Sequence, residues 1–320
     1  MSSRSRIAAL LVLACLGMTV VSAAASPDPA LAHRIALGSY IPGVAWHPGL
    51  IDRYSHLMGR PPAIVSDYKQ WDVPAFERDE LKAIWDRGAV PMITWEPMSY
   101  HGRNYPLRAI VRGRFDGYLK RSAHAAKSWG RPVFVRFAHE MNGNWYPWGV
   151  RGNTAHAYKA AWRHVVRVFR RIGADNVQWV WVPNVDQGGG QPFAGLFPGD
   201  RWVDWVGLDG FNWGYGGSFY SFRKIFGHSY RILARLSDRP MMIAETGADN
   251  RGKARWISQS LRRQLPRFGR IHALVWFNYR ANGVNLRFDT PPPALRAFRS
   301  AARDPRYAIT RDALLAEAGP

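Results

Sequence analysis

An alternation running almost the full length of the chain constrains its fold more than any other feature: short apolar runs, most of them followed by a longer segment with helical spacing. The runs fall at 35–41, 63–68, 90–95, 133–138, 177–182, 203–208, 241–244 and 273–277. Several are almost continuously hydrophobic, the pattern of strands buried on both faces in a parallel sheet. The helical segments carry their own punctuation. Residues 76–87 place acidic side chains early and Gly88 just past the end, which suits the helix dipole. Thr154 can cap a long helix reaching about Ile172, with Ala157, Ala161, Val165, Val168 and Ile172 at helical spacing and Gly173 as terminator. Further helical patterns cover 219–236, 254–265 and 292–302. Eight strands with intervening helices predict a single α/β unit, a closed (β/α)8 TIM barrel. An open doubly wound sheet would normally announce itself with a G-x-G-x-x-G turn, and none follows 35–41.

The first 25 residues read differently. Arg4 and Arg6 precede an apolar run at 7–21, and Ala23, Ala24 and Ala25 form a small-residue cleavage pattern. This predicts a secretory signal peptide over 1–25, cleaved after Ala25, with 26–320 as the barrel domain and no membrane span in the mature chain. The sole cysteine, Cys15, lies in that leader, so the mature chain is expected to hold no disulfide. A lipoprotein cut before Cys15 fits less well, because 16–21 stays apolar. The formal charge is +21. Such a surface attracts anionic envelope polymers or lipid head groups. The basic residues are scattered, and motifs for nucleic acid with the required spacing are absent. The mature protein is expected to be a monomer, released to the periplasm or the medium.

Barrel enzymes carry their chemistry where strands end and loops begin. The fourth apolar run ends in Arg136-Phe137-Ala138-His139-Glu140 and enters Met141-Asn142-Gly143-Asn144-Trp145-Tyr146-Pro147-Trp148. A loop that only connects needs turn residues, not two tryptophans and a tyrosine. The seventh run ends in Ile243-Ala244-Glu245-Thr246-Gly247, a lone carboxylate before a glycine turn. A barrel brings both glutamates to one mouth. Two carboxyls facing across a cleft suit glycoside cleavage, in which one protonates the leaving oxygen while the other attacks the anomeric carbon. Trp95, Trp145, Trp148, Trp213 and Trp276 stand at predicted strand ends, where flat faces can stack on sugar rings. Asn142, Asn184, Asp209, Asn212 and Asn278 lie at the same level to meet hydroxyls. His139 lacks the i, i+4 partner of a zinc helix, and neither a metal nor a cofactor is expected.

The segment from Arg136 to Trp148 resembles the acid/base segment of glycoside hydrolase family 26, and Ile243-Ala244-Glu245-Thr246-Gly247 resembles that family's nucleophile segment. Thr94-Trp95-Glu96-Pro97, Gly207-Leu208-Asp209-Gly210-Phe211-Asn212-Trp213 and Val275-Trp276-Phe277-Asn278 follow in the family's order, over about residues 35–300. The resemblance implies a retaining endo-β-glycosidase working by double displacement, with Glu140 as acid/base and Glu245 as nucleophile. His139 would support them, and Trp145 and Trp276 would contact sugar. Arg136, Trp148, Asn184, Phe211 and Trp213 complete the expected substrate-binding set. Phe211 departs from the family, many of whose members carry there a tyrosine bonded to the nucleophile. Losing that hydroxyl should weaken the orientation of Glu245, or pass the task to Trp213, Asn212 or a water. The substrate expected first is β-1,4-mannan, then mixed-linkage β-glucan or xylan. The alternative is a catalytically impaired barrel that only binds glycan.

Overall fold

A computed structural model describes residues 33–186 and 189–317, so the leader predicted at 1–25 lies outside the described residues. Eight parallel strands close into a barrel in chain order. They are β1 (Ala36–Tyr40), β2 (Ile64–Gln70), β3 (Val90–Glu96), β4 (Val133–Phe137), β5 (Val177–Trp181), β6 (Trp205–Asn212), β7 (Met241–Ala248) and β8 (Ile271–Phe277). All eight predicted runs are strands. β6 and β7 extend four residues beyond their apolar runs, so Glu245 and Gly247 sit inside a strand, not at a turn.

The helices are α1 (Gly49–Met58), α2 (Arg78–Asp86), α3 (Leu107–Val111), α4 (Asp116–Trp129), α5 (Ala155–Ile172), α6 (Phe222–Leu236), α7 (Lys253–Gln259), α8 (Pro292–Ala302) and α9 (Arg311–Glu317). The Thr154 hydroxyl accepts from the Ala157 amide at 3.1 Å, and Gly173 closes α5 with φ 77°. The predicted helix at 254–265 is instead α7 followed by a π-helical turn over Ser260–Gln264. α1, α3 and α4, which cross over after β1 and β3, were not among the expected helices.

Side chains alternate along each strand, and this divides the core in two. Ala36, Ile64, Met92, Phe134, Val180, Trp205, Met242 and Val275 fill the barrel interior, where Leu314 of α9 joins them. Leu37, Val65, Ile93, Val135, Trp179 and Leu274 face outward into the surrounding helices. Among the described residues no helix is long and apolar enough to cross a membrane.

Candidate active site

Strand parity stacks a polar layer above the apolar filling. On β4, Phe134 points inward, so Arg136 does too; on β2, Ile64 brings Tyr68 and Gln70 inward; on β3, Met92 brings Glu96. β7 breaks the rule. Counting from the inward Met242, strict alternation would turn Glu245 out toward the helices. The pairing of β7 with β6 skips Ala244, setting Leu208 opposite Ile243 and Asp209 opposite Glu245. A shift in the β7–β8 register falls in the same place. This bulge re-aims Glu245 into the mouth.

Arg136 is fully buried, and its guanidinium bridges two carboxylates, 2.7 Å to Glu245 Oε1 and 2.5 Å to Asp209 Oδ2. Loss of one partner from such a buried cluster typically costs about 3–5 kcal/mol. His139, Asp209 and Glu245 offer metal-ligand atoms within 4.8 Å of one another, but Arg136 already supplies positive charge to both carboxylates. The Tyr68 hydroxyl also donates to Glu245 Oε1. Burial and the Glu245 charge raise the Tyr68 phenol well above its usual range, so it remains a donor. Both donors converge on Oε1, leaving Oε2 for the cleft.

Glu140 sits in a different setting. Its Oε1 accepts from Asn184 Nδ2 at 2.5 Å and its Oε2 from Trp145 Nε1 at 2.7 Å. Burial, then the Glu245 charge, push its carboxyl up to about 7, against the opposing hydrogen bonds. The chain leaves β4 through Ala138 at φ 45° and Glu140 at φ 49°, left-handed values that cost about 1–3 kcal/mol per non-glycine residue. The Glu140 amide is pinned to the Val182 carbonyl at 2.8 Å. Gly143 is what lets Trp145 fold back over Glu140, since a Cβ there would meet the indole at 2.4 Å. His139 is buried beside Arg136, which together drive its pKa well below 6.5, so the ring is neutral.

The structure corrects several expected substrate contacts. Trp276 is fully buried, donates to the Leu286 carbonyl at 2.8 Å and packs on Trp256 and Phe298. Parity sends it outward; its neighbour Phe277 faces the mouth, stacked on Tyr40 at 5.0 Å and meeting Phe211 at 5.6 Å. Trp148 is also buried, stacked on Tyr146 at 4.4 Å and bonded to the His139 carbonyl, so it braces the loop. Arg136 is committed to carboxylates. Asn184 acts on Glu140. Asn212 is occupied with Tyr220 at 2.6 Å, and the hydroxyl missing at Phe211 is supplied by Tyr68 from β2, not by Trp213 or Asn212. Trp145, Phe211 and Trp213 keep exposed surface at the mouth.

Two mouth residues went unrecognised in the sequence. Tyr68 needed only the β2 parity to be found. Glu96 carries a carboxyl that burial lifts to about 7, with Gln70 donating to it at 3.1 Å. Its folded value exceeds the unfolded one, so its protonated form favours the fold below about pH 4.5 and that contribution is lost as pH rises through 7. Glu96→Gln should therefore melt several degrees above the parent at pH 8 and at the same temperature near pH 4.5, read by calorimetry. An equal offset at both pH values would assign the effect to packing.

A family model for glycosyl hydrolase family 26 matches residues 112–256, a span that contains both Glu140 and Glu245. The chain belongs to glycosyl hydrolase family 26. It is 35% identical over 286 residues to Endoglucanase H of Acetivibrio thermocellus, covering 83% of this chain and 31% of that protein. It is 26% identical over 263 residues to mannan endo-1,4-beta-mannosidase A and B of Caldalkalibacillus mannanilyticus, covering 69% of this chain and 48% of that protein. The chain thus spans 31% and 48% of these two relatives' length. The family 26 β-mannanase structure from Bacteroides ovatus superposes with a TM-score of 0.68 at 18% identity, covering 87% of this chain and 90% of that one. That likeness is one of fold.

Proposed function

We propose that this family 26 chain is a secreted, monomeric retaining endo-β-glycosidase that cleaves a β-linked polysaccharide by double displacement. The observation carrying this reading is the contrast between two glutamates at one mouth: Glu140 buried with a pKa lifted to about 7, Glu245 gripped through one oxygen by Arg136 and Tyr68. In the first step Glu140 gives its proton to the glycosidic oxygen as Glu245 Oε2 attacks the anomeric carbon. The carbon–oxygen bond to the leaving sugar breaks and a glycosyl ester forms on Glu245. Esterification removes the Glu245 charge that helps hold the Glu140 pKa up, so the Glu140 pKa falls and its carboxyl, having given up its proton, stays ionised to serve as the base. It then takes a proton from water, which attacks the same carbon and frees Glu245.

β-1,4-Mannan is the leading substrate, in line with the mannosidase relative. The 35% identity to an endoglucanase supports a second reading, hydrolysis of β-glucan. Incubating the protein with mannan, mixed-linkage glucan and xylan, with product sizing, tests both; no reducing sugar from any of them would overturn the proposal. Secretion through the 1–25 leader is tested by sequencing the N-terminus of the exported protein.

Tyr68→Phe should lower kcat about 10- to 100-fold with little change in KM, because one donor of a charge-assisted pair is worth about 1.5–3 kcal/mol. Unchanged kcat would show that Arg136 alone suffices to hold Glu245.

A further inference from the structure

Three cavities lie in succession beside the mouth, each sharing lining residues with the next. The first, about 550 Å3, starts at Phe211 and Trp213 and takes in Tyr215, Tyr220 and Lys224. The second, about 490 Å3, shares Gly214 and Tyr220 with the first and adds Arg251 and Arg255. The third, about 540 Å3, shares Ser221 and Gln259 with the second and is lined by Arg223, Arg231, Arg263 and Arg267. Through these shared residues they outline a groove that runs from the mouth past the rim to the space between α6 and the π-helical turn that follows α7.

Its charge is one-sided. Among the described residues no carboxylate lines any of the three cavities. Arg251 is neutralised by Asp249 at 2.9 Å. Lys224, Arg255, Arg223, Arg231, Arg263 and Arg267 are all exposed and make no ion pair among the described residues. Crowding like charges along one channel raises its potential and favours an anionic occupant. The upper groove also presents flat apolar faces: Trp213 and Tyr215 stack within 2° of parallel, and Tyr215 and Tyr220 are 56% and 51% exposed. Stacking faces that lead on from the catalytic mouth, followed by a row of cations, suit a saccharide chain that carries negative groups.

We propose that this groove binds an acidic polysaccharide, a glycan bearing carboxylate groups, continuous with the chain held at the mouth. The inference rests on the glycosidase reading and deepens its substrate class. Two polymers with the same β-1,4 backbone test it, carboxymethyl cellulose and neutral hydroxyethyl cellulose, titrated against the full chain carrying Glu140→Gln. The charged polymer should bind at least about tenfold more tightly, and lose that margin between about 0.05 and 0.5 M salt as screening shortens. Arg231→Ala/Arg263→Ala/Arg267→Ala should remove most of the margin. A matched triple on another exposed face, Arg112→Ala/Arg114→Ala/Lys120→Ala, should leave it in place. The proposal falls if both triples weaken binding equally, since net charge would then explain it. It also falls if the two polymers bind alike, or if duplex DNA binds as tightly with the same sensitivity to the groove triple. Hydrolysis of neutral glycans by the groove triple, with Glu140 intact, is measured separately and should stay within about twofold of the parent. Its absence in the parent would fault the glycosidase reading and leave the binding result standing.

Discussion

Glu245→Ala loses polysaccharide hydrolysis by at least about 10^4-fold and regains turnover of an activated aryl β-glycoside when azide is added. Without a carboxylate on that side of the sugar, the first displacement has no nucleophile, and removing one member of a catalytic unit disables the whole. Azide fits the space that the shortened side chain leaves and attacks from the same side, so the product is the α-glycosyl azide. Arg136 also pairs with Asp209 at 2.5 Å, a contact that the substitution does not remove and that should hold the mouth in shape for the rescue. Recovery of the β-azide, or survival of most of the activity, would remove Glu245 from the role of nucleophile.

The second large effect belongs to Glu140. Glu140→Ala should cut polysaccharide hydrolysis by about 10^2- to 10^4-fold, the usual worth of a positioned acid. An aryl glycoside with a good leaving group needs no protonation, so its first step proceeds and the glycosyl-enzyme accumulates. Azide then attacks the opposite face and releases the β-azide, the mirror of the outcome at Glu245. The pH profile supplies the sign. Glu140 must be protonated to act as acid and its carboxyl lies at about 7, so kcat/KM of the parent falls as pH rises through 7. That limb should vanish in Glu140→Ala with the activated substrate. A limb that stays at the same pH would belong to another group, and Glu96, also at about 7, is the first to examine.

Much of this is legible in the sequence alone. The eight apolar runs, the cap at Thr154 and the terminator at Gly173 are local signals, read within a few residues of where they act. The segment from Arg136 to Trp148 advertised itself by holding too many aromatics for a connector. What failed was the assignment of faces. Trp276 was expected in the mouth and lies outside the barrel, because neighbouring positions on a strand point opposite ways. Tyr68 was overlooked for the same reason: nothing in its local sequence marks the inward side of β2.

The sequence by itself therefore determined the barrel, the order of its strands and the identity of two glutamates at its mouth, because hydrophobic periodicity and local motif are properties of short stretches. The tertiary structure alone decided how those glutamates are held. The bulge at Ala244 turns Glu245 inward, Arg136 reaches it from β4 and Tyr68 reaches it from β2. The two hydrogen bonds join residues 109 and 177 positions apart, and only closure of the barrel brings them within reach of each other.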